Sequence, residues 1–206
     1  MNVLASRLFV VVLAACALSA CAVGNTYDYR TAPPNLTSAT ARSLTVGVLD
    51  RRPYVLSNNK SPSFVGLQRA ALGNPWNVNT VSRAPLADEF GSIIADGFNI
   101  KPTPLPLRTP VSEALDRLKA RKTDRMLLVT IFEWKTDTYV NVALHYRVDA
   151  KVYDPSGRVL GENAIQGRDN LGPVTLPSQV GPLAAAAAKR KFEQLLNAPA
   201  IQQSLQ

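Results

Sequence analysis

Residues 140–165 read VNVALHYRVDAKVYDPSGRVLGENAI, and this stretch decides the fold. Val140, Val142, Leu144, Tyr146, Val148, Ala150 and Val152 recur at every second position, the period that brings side chains to one face of a strand. Asn141, Ala143, His145, Arg147 and Asp149 take the alternate positions, so the strand has an apolar and a more polar face. Asp154-Pro155-Ser156-Gly157 then makes a turn, because proline presets φ and glycine permits positive φ. Arg158 to Ile165 returns as a strand, and Arg125 to Lys135 precedes as another. Three strands in succession predict an antiparallel meander.

Upstream, Leu44, Val46 and Val48 alternate in a first strand, Leu44–Leu49, which Asp50-Arg51-Arg52-Pro53 ends. Leu86, Phe90, Ile93 and Ile94 share one helical face, with Pro85 in the first turn and Gly97 at the C-cap. Phe98 to Lys101 reads as a short strand, closed by the proline-rich run from Pro102 to Pro106. A second helix is predicted with Thr109 as N-cap and Pro110 at its first position. Val111, Leu115 and Leu118 form its apolar face. Arg117, Lys119, Arg121 and Lys122 gather at its end, where the helix dipole favours positive charge. The Ala-rich segment Leu183–Leu196 predicts a last helix, followed by a frayed polar tail, Gln202–Gln206. The expectation is an α+β fold with one mixed, mainly antiparallel sheet, in the order β-α-β-α-β-β-β-α, and helices packed on one face.

The N-terminus reads as an address. Met1 to Arg7 carries one positive charge, Leu8 to Ala20 is apolar apart from Ser19, and Leu18-Ser19-Ala20-Cys21 follows the lipobox pattern of bacterial lipoproteins. About thirteen apolar residues suit a secretory signal and fall short of the roughly twenty a spanning helix needs. Leu13-Ala14-Ala15-Cys16 fits the same pattern, but cleavage there leaves a short apolar run, so Cys21 is the favoured lipidation site. More than one acyl chain on that cysteine would anchor stably. Ala22, rather than Asp, follows it, which by the sorting rule of enteric bacteria favours the outer membrane. The expected organisation is a signal peptide over 1–20, a lipidated cysteine and flexible tether over 21–42, and one periplasmic α+β domain over 43–206.

Both cysteines of the 206-residue chain lie in this leader region. The mature domain is therefore expected to carry neither a disulfide nor a cysteine metal site. Twenty-three basic against fifteen acidic residues give a net charge of +8. In an exported protein that excess speaks for lipid headgroups, lipopolysaccharide or peptidoglycan carboxylates rather than nucleic acid, or simply for a soluble surface.

No catalytic signature is legible. His145, the single histidine, has no motif that would supply a nucleophile and an orienting acid. Asp88 and Glu89 are adjacent on a helix and diverge, unlike a glycosidase pair. Asp50, at a strand end, reads as a turn-starting residue or as a ligand group beside Arg51 and Arg52, which could clamp a carboxylate or phosphate. Residues 51–82 form a long segment rich in Asn, Pro, Ser and Gly, with a weak strand signal at Phe64 to Leu67. This segment carries Arg51, Arg52, Tyr54, Phe64, Arg69 and Trp76, and arginine and aromatic residues are the usual anchors of interfaces. These six are the candidate partner-binding residues; the alternative for Phe64 and Trp76 is that they fold back onto the core. No cofactor and no metal ligand set is expected.

The lipobox, the strand closing in Asp50-Arg51-Arg52-Pro53, the helix ending in Gly97-Phe98 and the strand pair turning at Tyr153-Asp154-Pro155-Ser156-Gly157 together resemble the small bacterial lipoproteins of the YajG type. The resemblance covers roughly residues 43–196 and implies an α+β domain held at the outer membrane and facing the periplasm; it carries over no catalytic residue. The functional expectation is a lipid-anchored, non-enzymatic envelope protein that presents its domain to a periplasmic or outer-membrane partner, such as a transport or envelope assembly. The alternatives are a binding module for lipopolysaccharide or peptidoglycan, using Arg51, Arg52 and Arg69, and a hydrolase whose site is not recognisable.

Overall fold

The computed structural model describes residues 26–37, 43–69, 74–174 and 176–206. Cys16, Cys21 and the whole expected signal peptide lie outside them. The described chain folds into β1 (Thr26–Tyr27), β2 (Leu44–Asp50), α1 (Pro53–Leu56), β3 (Phe64–Arg69), β4 (Pro75–Thr80), α2 (Leu86–Gly97), α3 (Val111–Lys119), β5 (Arg125–Thr138), β6 (Asn141–Tyr153), β7 (Val159–Pro173), α4 (Val180–Leu196) and α5 (Pro199–Ser204). The seven strands make one open mixed sheet in the order β1-β4-β3-β5-β6-β7, with β2 also paired to β5. The fold is α+β, with the helices packed against the sheet.

The predicted meander is the spine. β5–β6 and β6–β7 are long antiparallel ladders, and Val142, Leu144, Tyr146, Val148, Ala150 and Val152 are all buried. Val140 drops out of the pattern: it lies in the β5–β6 turn and is exposed. At the next turn Gly157 takes φ +92°. There the Asp154 carboxylate accepts hydrogen bonds from the Ser156 amide and hydroxyl and the Arg158 amide, which hold its pKa down at about 2.

The free edge of β5 is shared by two parallel strands. β2 pairs along Arg125–Ile131 and β3 along Thr136–Thr138. A bulge interrupts β5 between Ile131 and Glu133, opposite the gap between those two strands. Gly66 makes the β3 approach possible: a Cβ there would stand 2.1 Å from the Thr136 hydroxyl.

Apolar side chains fill both faces of the upper sheet. α2 and α4 cover one face, where Phe90, Trp134 and Phe192 meet at centroid separations of 4.8–6.0 Å. α3 covers the other, packing Ala114 and Leu118 with Leu49, Leu105, Met126, Leu128 and Tyr153. The helices are thus not confined to one face. A parallel β2–β5 pair buried on both sides needs cover on both, which is why all seven β2 residues are buried.

Several expectations fail for identifiable reasons. Residues 26–37, placed in the tether, belong to the domain. Tyr27 and Tyr29 are buried, β1 pairs with β4, and the Asn35 and Thr37 amides donate to Glu193 and Asn197 on the last turn of α4 and its cap. Phe98–Lys101 is a turn, not a strand; Asn99 takes φ +56°, and a single bridge joins Pro102 to Val46. Gly97 closes α2 without a left-handed φ and instead makes room for Leu36, whose Cδ1 would lie 2.9 Å from a Cβ there. Pro110 rather than Thr109 occupies the N-cap of α3, and the Thr109 hydroxyl donates to the Pro106 carbonyl. The expected frayed tail is instead the end of α5 and its cap; Ile201 and Leu205 are buried there, and the Ser204 and Gln206 carbonyls accept hydrogen bonds from Arg125.

Candidate interaction surface

α3 covers only the upper part of its face of the sheet. Below it, β5, β6 and β7 turn their polar positions to solvent, and the sheet register stacks these side chains in rows. Thr130, Asp149 and Ala164 form one row; Glu133, Arg147 and Gln166 the next; Lys135, His145 and Arg168 a third; Asp137, Ala143 and Asn170 the last. The alternation that buries the even positions of β6 presents the odd ones here.

The charges on this face are largely paired with one another. Arg69 reaches from β3 to Asp137 through two hydrogen bonds of 2.9 Å, and these hold the Asp137 carboxyl below its usual value. Lys151 Nζ lies 2.7 Å from Glu162, and Lys135 Nζ lies 3.6 Å from Glu133. The bulge turns Phe132 outward, and the Arg147 guanidinium stacks 4.9 Å over its ring. From α1, Tyr54 leans over the edge, donates its hydroxyl to Glu133 at 2.9 Å and offers its ring to Lys135 at 5.3 Å. Burial raises the Tyr54 pKa, so the phenol stays protonated. His145 is held below its ordinary value by partial burial first and then by the flanking Lys135 and Arg168. It is therefore neutral at pH 7 and leaves that row with two cations.

The six candidate residues divide. Arg52 is fully buried. Its Nε and Nη2 bind the two Asp50 oxygens at 2.9 and 2.6 Å, while its remaining donors reach the Pro62, Phe64 and Trp134 carbonyls. Burial lowers its pKa and the Asp50 carboxylate raises it, with a net upward shift. Arg52 and Asp50 are thus a structural pair filling the gap between β2 and β3, not a ligand clamp. Phe64 is likewise buried, under Tyr54 and Lys60. Arg51 is half-buried and donates to the Thr109 carbonyl. Tyr54 and Arg69 border the open face, and Trp76 stands exposed at the end of β4. The sequence reading missed Lys135, Arg147 and Arg168 as surface groups of one site, although the polar register around His145 pointed to them. Among the described residues, no three His, Cys, Asp or Glu side chains come together in a way that could hold a metal ion.

No family model matches the chain, and no curated protein does. Solved structures of similar arrangement exist. A Xanthomonas campestris protein of the DUF330 family aligns over 88% of this chain and 93% of its own, at 14% identity and a TM-score of 0.48. The PelC dodecamer from Paraburkholderia phytofirmans aligns over 78% of this chain and 90% of its own, at 15% identity and a TM-score of 0.38. A Neisseria meningitidis lipoprotein, GNA1162, aligns over 73% of this chain and 96% of its own, at 15% identity and a TM-score of 0.30. At such scores no residue and no partner passes from these proteins to this chain, and the YajG-type likeness remains a reading of the sequence.

Proposed function

We propose that this chain is an envelope lipoprotein, anchored in the outer membrane through Cys21, whose periplasmic domain presents the uncovered β5–β7 face to a protein partner and performs no chemistry of its own. The observation that carries the partner reading is the charge pattern of that face. Arg69, Lys135 and Lys151 each sit against a carboxylate of the same surface, so a polyanion would have to displace existing pairs. A face that mixes both signs with an outward aromatic ring, Phe132, and the exposed polar side chains of Gln166 and Asn170 complements another folded surface. The lipobox supplies the anchor, and Ala22 supports the outer rather than the inner membrane.

The reading is tested by placing a photo-crosslinking amino acid at Gln166 or Arg168 in the full-length protein in its native envelope, with position 190 on α4 as control. A discrete adduct at the two face positions, lost on Arg147→Glu and absent at position 190, is the expected result. Equal labelling at all three positions would rule out this face as a docking surface. The Lys135–His145–Arg168 row also favours a second reading, a site for an anionic envelope glycan or lipid. Binding to lipopolysaccharide or peptidoglycan that collapses as salt is raised would identify that case.

A further inference from the structure

Among the described residues, four large apolar side chains are more than half exposed: Trp76 at 57%, Tyr139 at 56%, Val140 at 66% and Leu176 at 57%. Single exposed apolar residues are ordinary on a protein surface, but these four share one end of the sheet. Trp76 pairs with Gln68, and Gln68 with Thr138. Tyr139 and Val140 form the turn that follows Thr138. The Val174 amide donates to the Val140 carbonyl, and Leu176 lies just beyond. An apolar group gathered in this way marks a contact surface.

β1, the first described strand, runs away from the same end. It lies parallel to β4, with Thr26 beside Asn79 and Tyr27 beside Thr80, so Thr26, where the described chain begins, is on the Trp76 side of Tyr27. Trp76 stands three residues from Asn79 on β4, about 10 Å along the strand. Cys21 precedes Thr26 by five residues, a span that reaches about 18 Å at full extension. Because residues 26–37 are packed into the domain, the long tether expected from sequence is reduced to these few residues. A lipid on Cys21 holds this end of the sheet close to the headgroups.

We propose that the end of the sheet bearing Trp76, Tyr139, Val140 and Leu176 rests on the lipid surface to which Cys21 is anchored, and so fixes the orientation of the domain on the membrane. The proposal rests on the Cys21 anchor. Tryptophan and tyrosine favour the bilayer interface, where the ring is half apolar and half wet, and valine and leucine side chains add apolar area at the same depth. Among the described residues no helix is long and apolar enough to cross a membrane, so the contact is one of side chains with the interface. In this orientation the β5–β7 strands run away from the lipid, and the uncovered face remains open to the periplasm.

The test uses the full lipidated chain in vesicles of phosphatidylethanolamine and phosphatidylglycerol containing a brominated-acyl fraction. Trp134 is fully buried and gives a constant background, so Trp76 reports the contact. Lipid mass on the chain beginning at Cys21, together with a blue shift and bromolipid quenching that both disappear in Trp76→Phe, is the expected result. A Val140→Asp, Leu176→Asp double variant, altered only at exposed positions, should float with the vesicles as before and lose the quenching. Normal lipid mass and flotation with Trp76 still open to aqueous acrylamide would overturn the proposal and leave the anchor standing. Trp76 shielded from both quenchers in a sample that sediments as a dimer would overturn it in favour of a second copy. A chain without lipid mass would remove the anchor, and the membrane contact with it.

Discussion

Asp50 and Arg52, two positions apart at the end of β2, face each other as a buried fork-to-fork pair whose guanidinium also satisfies carbonyls of β3 and β5. The pair stands where β2 has ended and β3 has not yet joined the edge of β5, a place where ladder hydrogen bonds are missing. Arg52→Ala strands a carboxylate and several carbonyls inside the protein. It should destabilise by roughly 3–5 kcal/mol, read as a lower urea midpoint. Arg52→Lys should recover little, since an ammonium cannot reproduce the planar fork. A double replacement by apolar residues of matched volume should cost less than Arg52→Ala alone. Equal costs for the double and single replacements would show that the pairing itself is not what holds the junction.

Residues 26–37 behave as part of the core in the fold, so their removal is expected to be felt. Trp134 Nε1 donates to the Tyr29 hydroxyl at 3.1 Å, and Tyr29 stacks edge-on against Phe90. Tyr29→Phe keeps the ring and leaves a buried indole N–H unpaired, at about 1–3 kcal/mol. Tyr29→Ala also opens a cavity and should cost about 3–5 kcal/mol. A chain lacking residues 26–37 should lose its cooperative unfolding transition; retention of the full transition would restore these residues to the tether.

What could be read from the sequence followed local periodicity. The Val142–Val152 alternation and the Leu86–Phe90–Ile93–Ile94 face were legible because each buries a single face of a regular element. β4 was not, because Pro75, Asn77 and Asn79 are poor strand formers and its pairing with β3 is set by tertiary context. β1 is two residues long, and nothing local distinguishes Tyr27 and Tyr29 from a tether. The spacing of Ile201 and Leu205 does carry a helical signal, masked by the surrounding glutamines. For the surface, the polar register of β6 was visible, whereas the bulge that turns Phe132 outward under Arg147 was not. Nor was the burial of Arg52, which depends on carbonyls from Pro62, Phe64 and Trp134. Of the six interface candidates, two, Arg52 and Phe64, are buried.

Glu89 gives the fold a pH dependence of its own. Its Oε1 accepts from Ser82 at 2.7 Å, but the buried Oε2 has no hydrogen-bond partner. Burial raises its pKa above the ordinary 4.5. The folded state therefore holds this proton more tightly than the unfolded state. Stability should fall as pH rises from 4.5 toward the raised value and then level off. Glu89→Gln mimics the protonated side chain and keeps the acceptor for Ser82. It should be more stable than the parent at pH 7 and equal to it below pH 4.5, in thermal melts across that range. A Gln variant less stable than the parent at pH 7 and equal to it at low pH would mean that the carboxylate is stabilised by charges such as Arg30 after all.

His145 reports directly on the uncovered face, because it is the chain's single histidine and its imidazole resonances need no assignment. Partial burial, then Lys135 and Arg168, depress its pKa below 6.5. The folded state thus binds this proton less tightly than the unfolded state. The stability involved is complete above pH 6.5 and is lost as pH falls through the depressed folded value. Arg168→Glu replaces a cation in the row by an anion, so it should move the titration midpoint upward in a proton NMR titration. Lys135→Met should move it in the same direction by removing a cation. Both positions are at the surface, so Arg168→Glu should change stability by less than about 0.5 kcal/mol. An unmoved midpoint in both variants would mean that burial alone sets the titration and that the three side chains do not act as one electrostatic row. A midpoint that rises in both, with the fold unchanged, yields variants in which the charge of the face is altered and nothing else. Loss of the partner adduct in those variants then reports on recognition rather than on folding.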